Sequence, residues 1–193
     1  MSFTLPFMRA CTRACTAALS ALTLSVTLSG ALAAEEFQLT SQSMAEGVQL
    51  STAQVFEGFG CTGGNRSPDL AWSGLPEGTE SLALTAYDPD APTGSGWWHW
   101  GVVNIPMETT EVPAGASGTD AMPEGALELR NDYGSPGFGG ACPPPGEVHR
   151  YIFTLHALSA KLDLPEGVTN AIAGYMINSQ TIATAKLTAV YTR

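Results

Sequence analysis

Asp88, His99, His149 and Tyr151 are the residues of this chain whose types can do chemistry together. A carboxylate and two imidazoles can hold and pass a proton near neutral pH, and a phenol adds a neutral hydrogen-bonding group. Each sits at the end of a strand-like run. His149 and Tyr151 are two apart, so on a strand they share a face with Phe153 and Leu155; Trp97 and His99 are also two apart. Asp88 closes the run Ser81 to Asp88 on the face of Leu82, Leu84 and Ala86. Two stretches rich in glycine and proline, Asp88 to Gly96 and Tyr133 to Gly146, abut these strand ends. Such loops let backbone N–H groups approach a ligand closely. The pattern therefore predicts a polar site at one end of a sheet. The plainer alternative is that Asp88 and Asp90, which flank Pro89, cap a turn and that the histidines are satisfied structural residues. Asp88, His99 and His149 could also ligate a metal, but their spacing is not diagnostic, and neither a metal nor a cofactor is expected.

Other chemistries lack their patterns. Gly94-Ser95-Gly96 is not the G-x-S-x-G nucleophile elbow. The chain has no H-E-x-x-H, no P-loop and no dinucleotide fingerprint. His156 falls on the face opposite His149, with Arg150 and Ile152, and is assigned no role. Trp98 and Trp100 are expected to pack the sheet.

The elements that must position these residues are mostly strands. Ser81 to Asp88 and His149 to Leu158 alternate, Trp97 to Ile105 is rich in aromatic and β-branched residues, and Ile182 to Thr192 closes the chain in the same manner. One segment has a helical period: Val168, Ala171, Ile172, Tyr175 and Met176 fall at i, i+3, i+4, i+7 and i+8, and predict the buried face of a helix. Short strands separated by long loops favour an antiparallel sandwich, so the fold class is mainly β with few helices.

The 193 residues suffice for one domain. The first 33 are expected to be a secretory signal peptide. Arg9 and Arg13 precede the uncharged apolar run Ala17 to Leu28, and Ala31-Leu32-Ala33 offers small residues at a cleavage site. That run is shorter than the roughly 20 residues of a spanning helix, so no stable membrane insertion is expected. The domain is then 34–193, in a periplasmic or secreted setting. It keeps 6 of the 8 basic residues against 18 acidic ones, a formal charge of −12. A surface this acidic repels nucleic acid but leaves room for a small anion in a local pocket. The domain also keeps two of the four cysteines, Cys61 and Cys142, which in an exported chain predict a disulfide. A metal is the weaker reading, because neither has a cysteine or histidine at finger-like spacing.

Three stretches carry a resemblance to a known family. Asp88-Pro-Asp-Ala-Pro followed by Trp97-Trp98-His99-Trp100 resembles the first signature of the phosphatidylethanolamine-binding (Raf kinase inhibitor-like) proteins. Gly139-Gly140-Ala141-Cys142-Pro143-Pro144-Pro145-Gly146 with His149-Arg150-Tyr151 resembles the second, and Ser67-Pro68-Asp69-Leu70-Ala71-Trp72 a third run upstream. The resemblance spans roughly Phe37 to Tyr191, and the Pro-Thr-Gly-Ser-Gly-Trp-Trp-His-Trp version looks bacterial. It implies a Greek-key β-sandwich of two antiparallel sheets. It also implies a pocket for phosphate-like groups formed by Asp88, His99, His149 and Tyr151, with Trp97 and Pro144 among its walls. Eukaryotic members carry a C-terminal helix over that pocket; this sequence stops at Arg193 after its last strand, so an open pocket is expected.

The function expected is non-enzymatic binding of a small phosphate-like or carboxylate ligand. The alternative is inhibition of a protein partner, a kinase or protease, through surface loops. A hydrolase is the third reading, with His99 and His149 as acid and base, but no activated nucleophile is visible.

Overall fold

In the computed structural model, residues 1–4 and 35–193 are described, so the expected signal peptide lies almost wholly outside the described residues. The chain from Ala34 to Arg193 is one unit. In chain order it contains β1 (Gln38–Thr40), β2 (Leu70–Ser73), β3 (Ser81–Asp88), β4 (Trp97–Pro106), β5 (Glu111–Val112), β6 (Leu127–Glu128), β7 (Val148–Leu158), α1 (Asn170–Gln180) and β8 (Thr181–Thr192). A three-stranded sheet has the order β1-β2-β5, and a five-stranded sheet the order β6-β4-β3-β7-β8. Every ladder is antiparallel, in agreement with the mainly-β reading.

The larger sheet is buried on both faces, which explains why β3 is apolar almost throughout. Leu82, Leu84 and Ala86 meet Leu39, Leu70, Trp72 and Val112 of the small sheet, together with Trp100, Val102, Phe153 and Leu155. On the other face Ala83, Val103 and Leu158 pack with Ala173 and Ile177 of α1. Burying a large aliphatic side chain is worth about 1.5–3 kcal/mol, so these two layers hold the strand ends in place.

The helix exists, but its buried face is not the predicted one. Asn170, Ala173 and Ile177 are buried, whereas Ile172 and Tyr175 are 54% and 78% exposed. The cause is local. Thr169 caps the N-terminus by accepting from Ile172 N–H, and the Asn170 side chain donates to the Arg130 carbonyl. Those contacts fix the rotation of the helix, so small Ala173 and Gly174, not the bulky stripe, approach the sheet; Gly174 lies beside Trp98.

Antiparallel pairing gathers the site. Asp88 pairs with Trp97 across β3 and β4, and His149 pairs with Tyr191 across β7 and β8. Because β3 lies between β4 and β7, the end of β3 and the beginnings of β4 and β7 meet at one edge of the molecule.

Candidate functional site

His99 sits in a β-bulge. Ala86 pairs with Trp100 but Tyr87 pairs with Trp98, so His99 is the extra residue. A bulge bends the strand and re-aims a side chain. Consequently His99 and its neighbour Trp100 both turn inward, the indole into the core and the imidazole towards Tyr151, ring centroids 5.0 Å apart. Two bonds to one residue clamp His99: its carbonyl accepts from Gly139 N–H at 2.8 Å, and its Nδ1 lies 2.7 Å from the Gly139 carbonyl. A carbonyl only accepts, so Nδ1 carries the proton and Nε2 is left bare. Gly139 and Gly140 must be glycine for this approach. A Cβ on the first would strike the Tyr133 ring and one on the second the backbone at Gln54 and Phe56.

The β7 side is arranged differently. His149 Nδ1 donates to Asp88 Oδ2 at 2.7 Å, while its Nε2 lies 3.1 Å from Glu147 Oε2. Asp88 Oδ1 accepts from the N–H groups of Asp90 and Ala91 at 2.8 and 3.1 Å. Asp90 in turn receives the Arg150 guanidinium on both oxygens, which pins the Asp88 loop to β7. That Arg150 contact holds the Asp90 carboxyl down at about 2.

Asp88, His99 and His149 line one cavity of about 380 Å³. All six residues expected from the sequence are in its wall: Asp88, Trp97, His99, Pro144, His149 and Tyr151. Three of them present fully buried polar atoms without a partner: Trp97 Nε1, His99 Nε2 and Tyr151 Oη. Burial lowers the His99 pKa, and the opposing pull of the Gly139 carbonyl and the Asp88 charge does not restore it, so the ring is neutral at neutral pH. Burial also pushes His149 down, but the hydrogen bonds to Asp88 and Glu147 outweigh it and its pKa lies above the ordinary value. Burial, assisted by the Asp88 charge, raises both Tyr133 and Tyr151, which stay protonated.

The Gly139–Gly146 loop offers little backbone N–H to a ligand. Gly139 donates to His99, Ala141 to Gln54 and Gly146 to Arg193, Gly140 donates to Asn65, and the three prolines have no N–H, which leaves the N–H of Cys142. His149 is likewise no free donor, since both its nitrogens face carboxylates. The cation in the wall is one that sequence reasoning missed. Arg193 donates from Nε to the Pro143 carbonyl at 2.6 Å and from Nη1 to the Gly60 carbonyl at 2.8 Å. Tyr133 and Phe59 were also missed. Tyr133 opens the second glycine-rich stretch, and Phe59 lies between Gly58 and Gly60, a bulky residue where a loop favours small ones. The expected Cys61–Cys142 disulfide is present and joins the Phe59 loop to the cavity wall.

Comparison with known proteins shows the family. The model of the family described as phosphatidylethanolamine-binding protein matches residues 40–192. The chain belongs to the phosphatidylethanolamine-binding protein family. It is 54% identical to YbcL of Escherichia coli (strain K12) over 162 residues, 82% of this chain and 88% of that protein. It is 49% identical to YbhB of the same organism, covering 80% of this chain and 99% of that one. It is also 35% identical to the putative lipoprotein LppC of Mycobacterium tuberculosis (strain ATCC 25618 / H37Rv), covering 83% of this chain and 75% of that protein. The crystal structure of E. coli YbcL superposes with a TM-score of 0.80 at 53% identity, covering 82% of this chain and 99% of that one.

Proposed function

We propose that this phosphatidylethanolamine-binding family protein is an exported, non-enzymatic receptor for a small phosphate-like or carboxylate anion. The observation that carries this reading is that three residues of one cavity wall, Trp97, His99 and Tyr151, each keep a buried polar atom without a partner: Nε1, Nε2 and Oη. An unsatisfied buried polar group costs about 1–3 kcal/mol, so three in one cavity favour an occupant that pairs them. Trp97 and Tyr151 donate as they stand, and His99 donates once Nε2 is protonated. Arg193 supplies a formal positive charge.

The hydrolase reading has less support. The Asp88–His149 pair has the form of an oriented base, but the far nitrogen meets the Glu147 carboxylate and not a hydroxyl or thiol nucleophile. Export is favoured by the apolar N-terminal run, by the disulfide, which suits an oxidising compartment, and by the relative called a lipoprotein.

Calorimetric titration with sulfate, whose charge is constant across the range, tests the site. Free His99 is neutral near pH 7, so sulfate binding takes up a proton there and affinity rises as the pH falls from 8 to 5. His99→Gln removes most of that rise. Equal affinity at pH 5 and 8, or a His99→Gln protein that keeps the parent's slope, refutes the assignment. N-terminal sequencing of protein from the periplasm or medium tests export, with a start near Ala34 expected and an intact Met1 against it.

A further inference from the structure

Phe59 is out of place by two measures. It is 75% exposed, and its backbone is left-handed, with φ 51°. It stands between Gly58 and Gly60, with φ 138° and 79°, so it is the only side chain in a three-residue stretch of positive φ. A turn with no other task would favour glycine or asparagine there, because a bulky residue in this conformation is strained. The loop is nevertheless firmly held. Gly58 and Cys61 exchange backbone hydrogen bonds at 3.0 and 2.9 Å, Cys61 is bonded to Cys142, and the Gly60 carbonyl accepts from Arg193. The chain thus tolerates strain and exposed apolar surface to hold one ring at the cavity mouth.

That ring continues a series of aromatic faces. Phe56 and Tyr133 stack at 3.8 Å with planes 9° apart. Phe59 lies 5.9 Å from Phe56 and 5.8 Å from Tyr133, inclined by 21° and 28°. Tyr133 meets Trp97 edge-on at 5.1 Å, and Trp97 carries one of the unpartnered buried donors. Phe59, Tyr133 and Trp97 share the cavity wall with Pro92, Pro144 and Pro145, which also present flat apolar faces.

We infer that Phe59 is a specificity-determining residue that selects an anion carrying a flat aromatic ring. The anionic end of that ligand meets Trp97, His99 and Tyr151, and its ring lies against Phe59 at the mouth. This rests on the proposed anion site and adds the chemistry of the ligand's body. Offset or edge-on contact between rings gives a preference beyond the area buried, which a saturated ring of the same size does not gain.

The test compares inorganic phosphate, phenyl phosphate and cyclohexyl phosphate in calorimetric titrations of the parent, Phe59→Gly and Phe59→Leu proteins, together with thermal unfolding. The parent should bind phenyl phosphate most tightly, about three- to tenfold more tightly than cyclohexyl phosphate. Phe59→Gly should lose that preference while binding inorganic phosphate as the parent does, and should unfold no lower than the parent because glycine suits the backbone. Phe59→Leu should keep apolar bulk but lose the preference for the flat ring. Equal binding of the phenyl and cyclohexyl esters by the parent overturns the inference, as does an unchanged preference in Phe59→Gly. Loss of inorganic phosphate binding in Phe59→Gly would make Phe59 a wall residue only and also overturns it. If the parent binds none of the three, the anion site itself fails; if it binds phosphate with no preference for the ring, only the role of Phe59 does.

Discussion

The two imidazoles of the cavity sit on strands flanking the same central strand, and their surroundings are opposite. On the β7 side His149 is bonded on both nitrogens, and its partner Asp88 is saturated by His149 and two backbone N–H groups. On the β4 side His99 has one nitrogen bonded and one bare, close to an unpartnered phenol and beside a strand residue with an unpartnered indole N–H. The difference separates holding from binding. A saturated buried ion pair fixes strands and loops but has nothing left for a ligand, whereas unpaired buried groups weaken the fold and gain from one.

Breaking the saturated side should have the largest effect on stability. Asp88→Ala removes the acceptor for His149 Nδ1 and for the N–H groups of Asp90 and Ala91. Removing one partner of a buried pair costs about 3–5 kcal/mol, so urea unfolding should show a loss of that order. A loss below about 1 kcal/mol would mean that the pair does not organise the sheet end.

The unsaturated side should behave in the opposite way. Tyr151→Phe keeps the ring in the core but removes a buried hydroxyl without a partner. Stability should hold or rise by about 1 kcal/mol, while sulfate affinity falls by about five- to tenfold through the lost donor. A clear loss of stability with unchanged sulfate binding would reverse the comparison, and calorimetry with urea titration reads both.

The sequence reveals this division only in part. Alternation placed Asp88, His149 and Tyr151 at strand ends, because period two is a local property. The Gly/Pro stretches marked the loops beside them. The His99 bulge was not legible, since alternation has no signal for an extra residue and the inward turn of both His99 and Trp100 follows from pairing with β3. Arg193 and Glu147 could not be foreseen either. One reaches the wall through carbonyls at Gly60 and Pro143 that only the fold brings near. The other meets His149 from two residues away, just before β7 begins. The α1 face was misjudged because capping and a side-chain bond to Arg130 set the helix rotation, overriding the hydrophobic stripe.

The smallest effect is on the pH dependence of stability, where the two imidazoles act with opposite sign. An unfolded histidine titrates near pH 6.5. The His149 value is raised in the fold, so its contribution is fully present below about pH 6.5 and is lost as the pH rises through the folded value. The His99 value is lowered, so the unfolded chain binds the proton first; stability is fully present above about pH 6.5 and falls as the pH drops towards the folded value. His156, buried on the other face and lowered to about 4, acts in the same direction as His99 between about pH 6.5 and 4. The Asp90 contribution is fully present above the ordinary carboxylate range and is lost only as the pH falls towards its folded value of about 2, so it leaves both limbs unchanged. The parent should therefore show a maximum near pH 6.5, with the acid limb, where His99 and His156 act together, the steeper of the two. Urea unfolding between about pH 4.5 and 8.5 separates the two limbs. His149→Gln should lower stability throughout, through the broken pair with Asp88, and should flatten the alkaline limb alone. His99→Gln should reduce the slope of the acid limb, leaving the share due to His156, and should not touch the alkaline limb. If both variants keep the parent's slopes on both limbs, the asymmetry between the two sides of the cavity does not reach the titration of these rings.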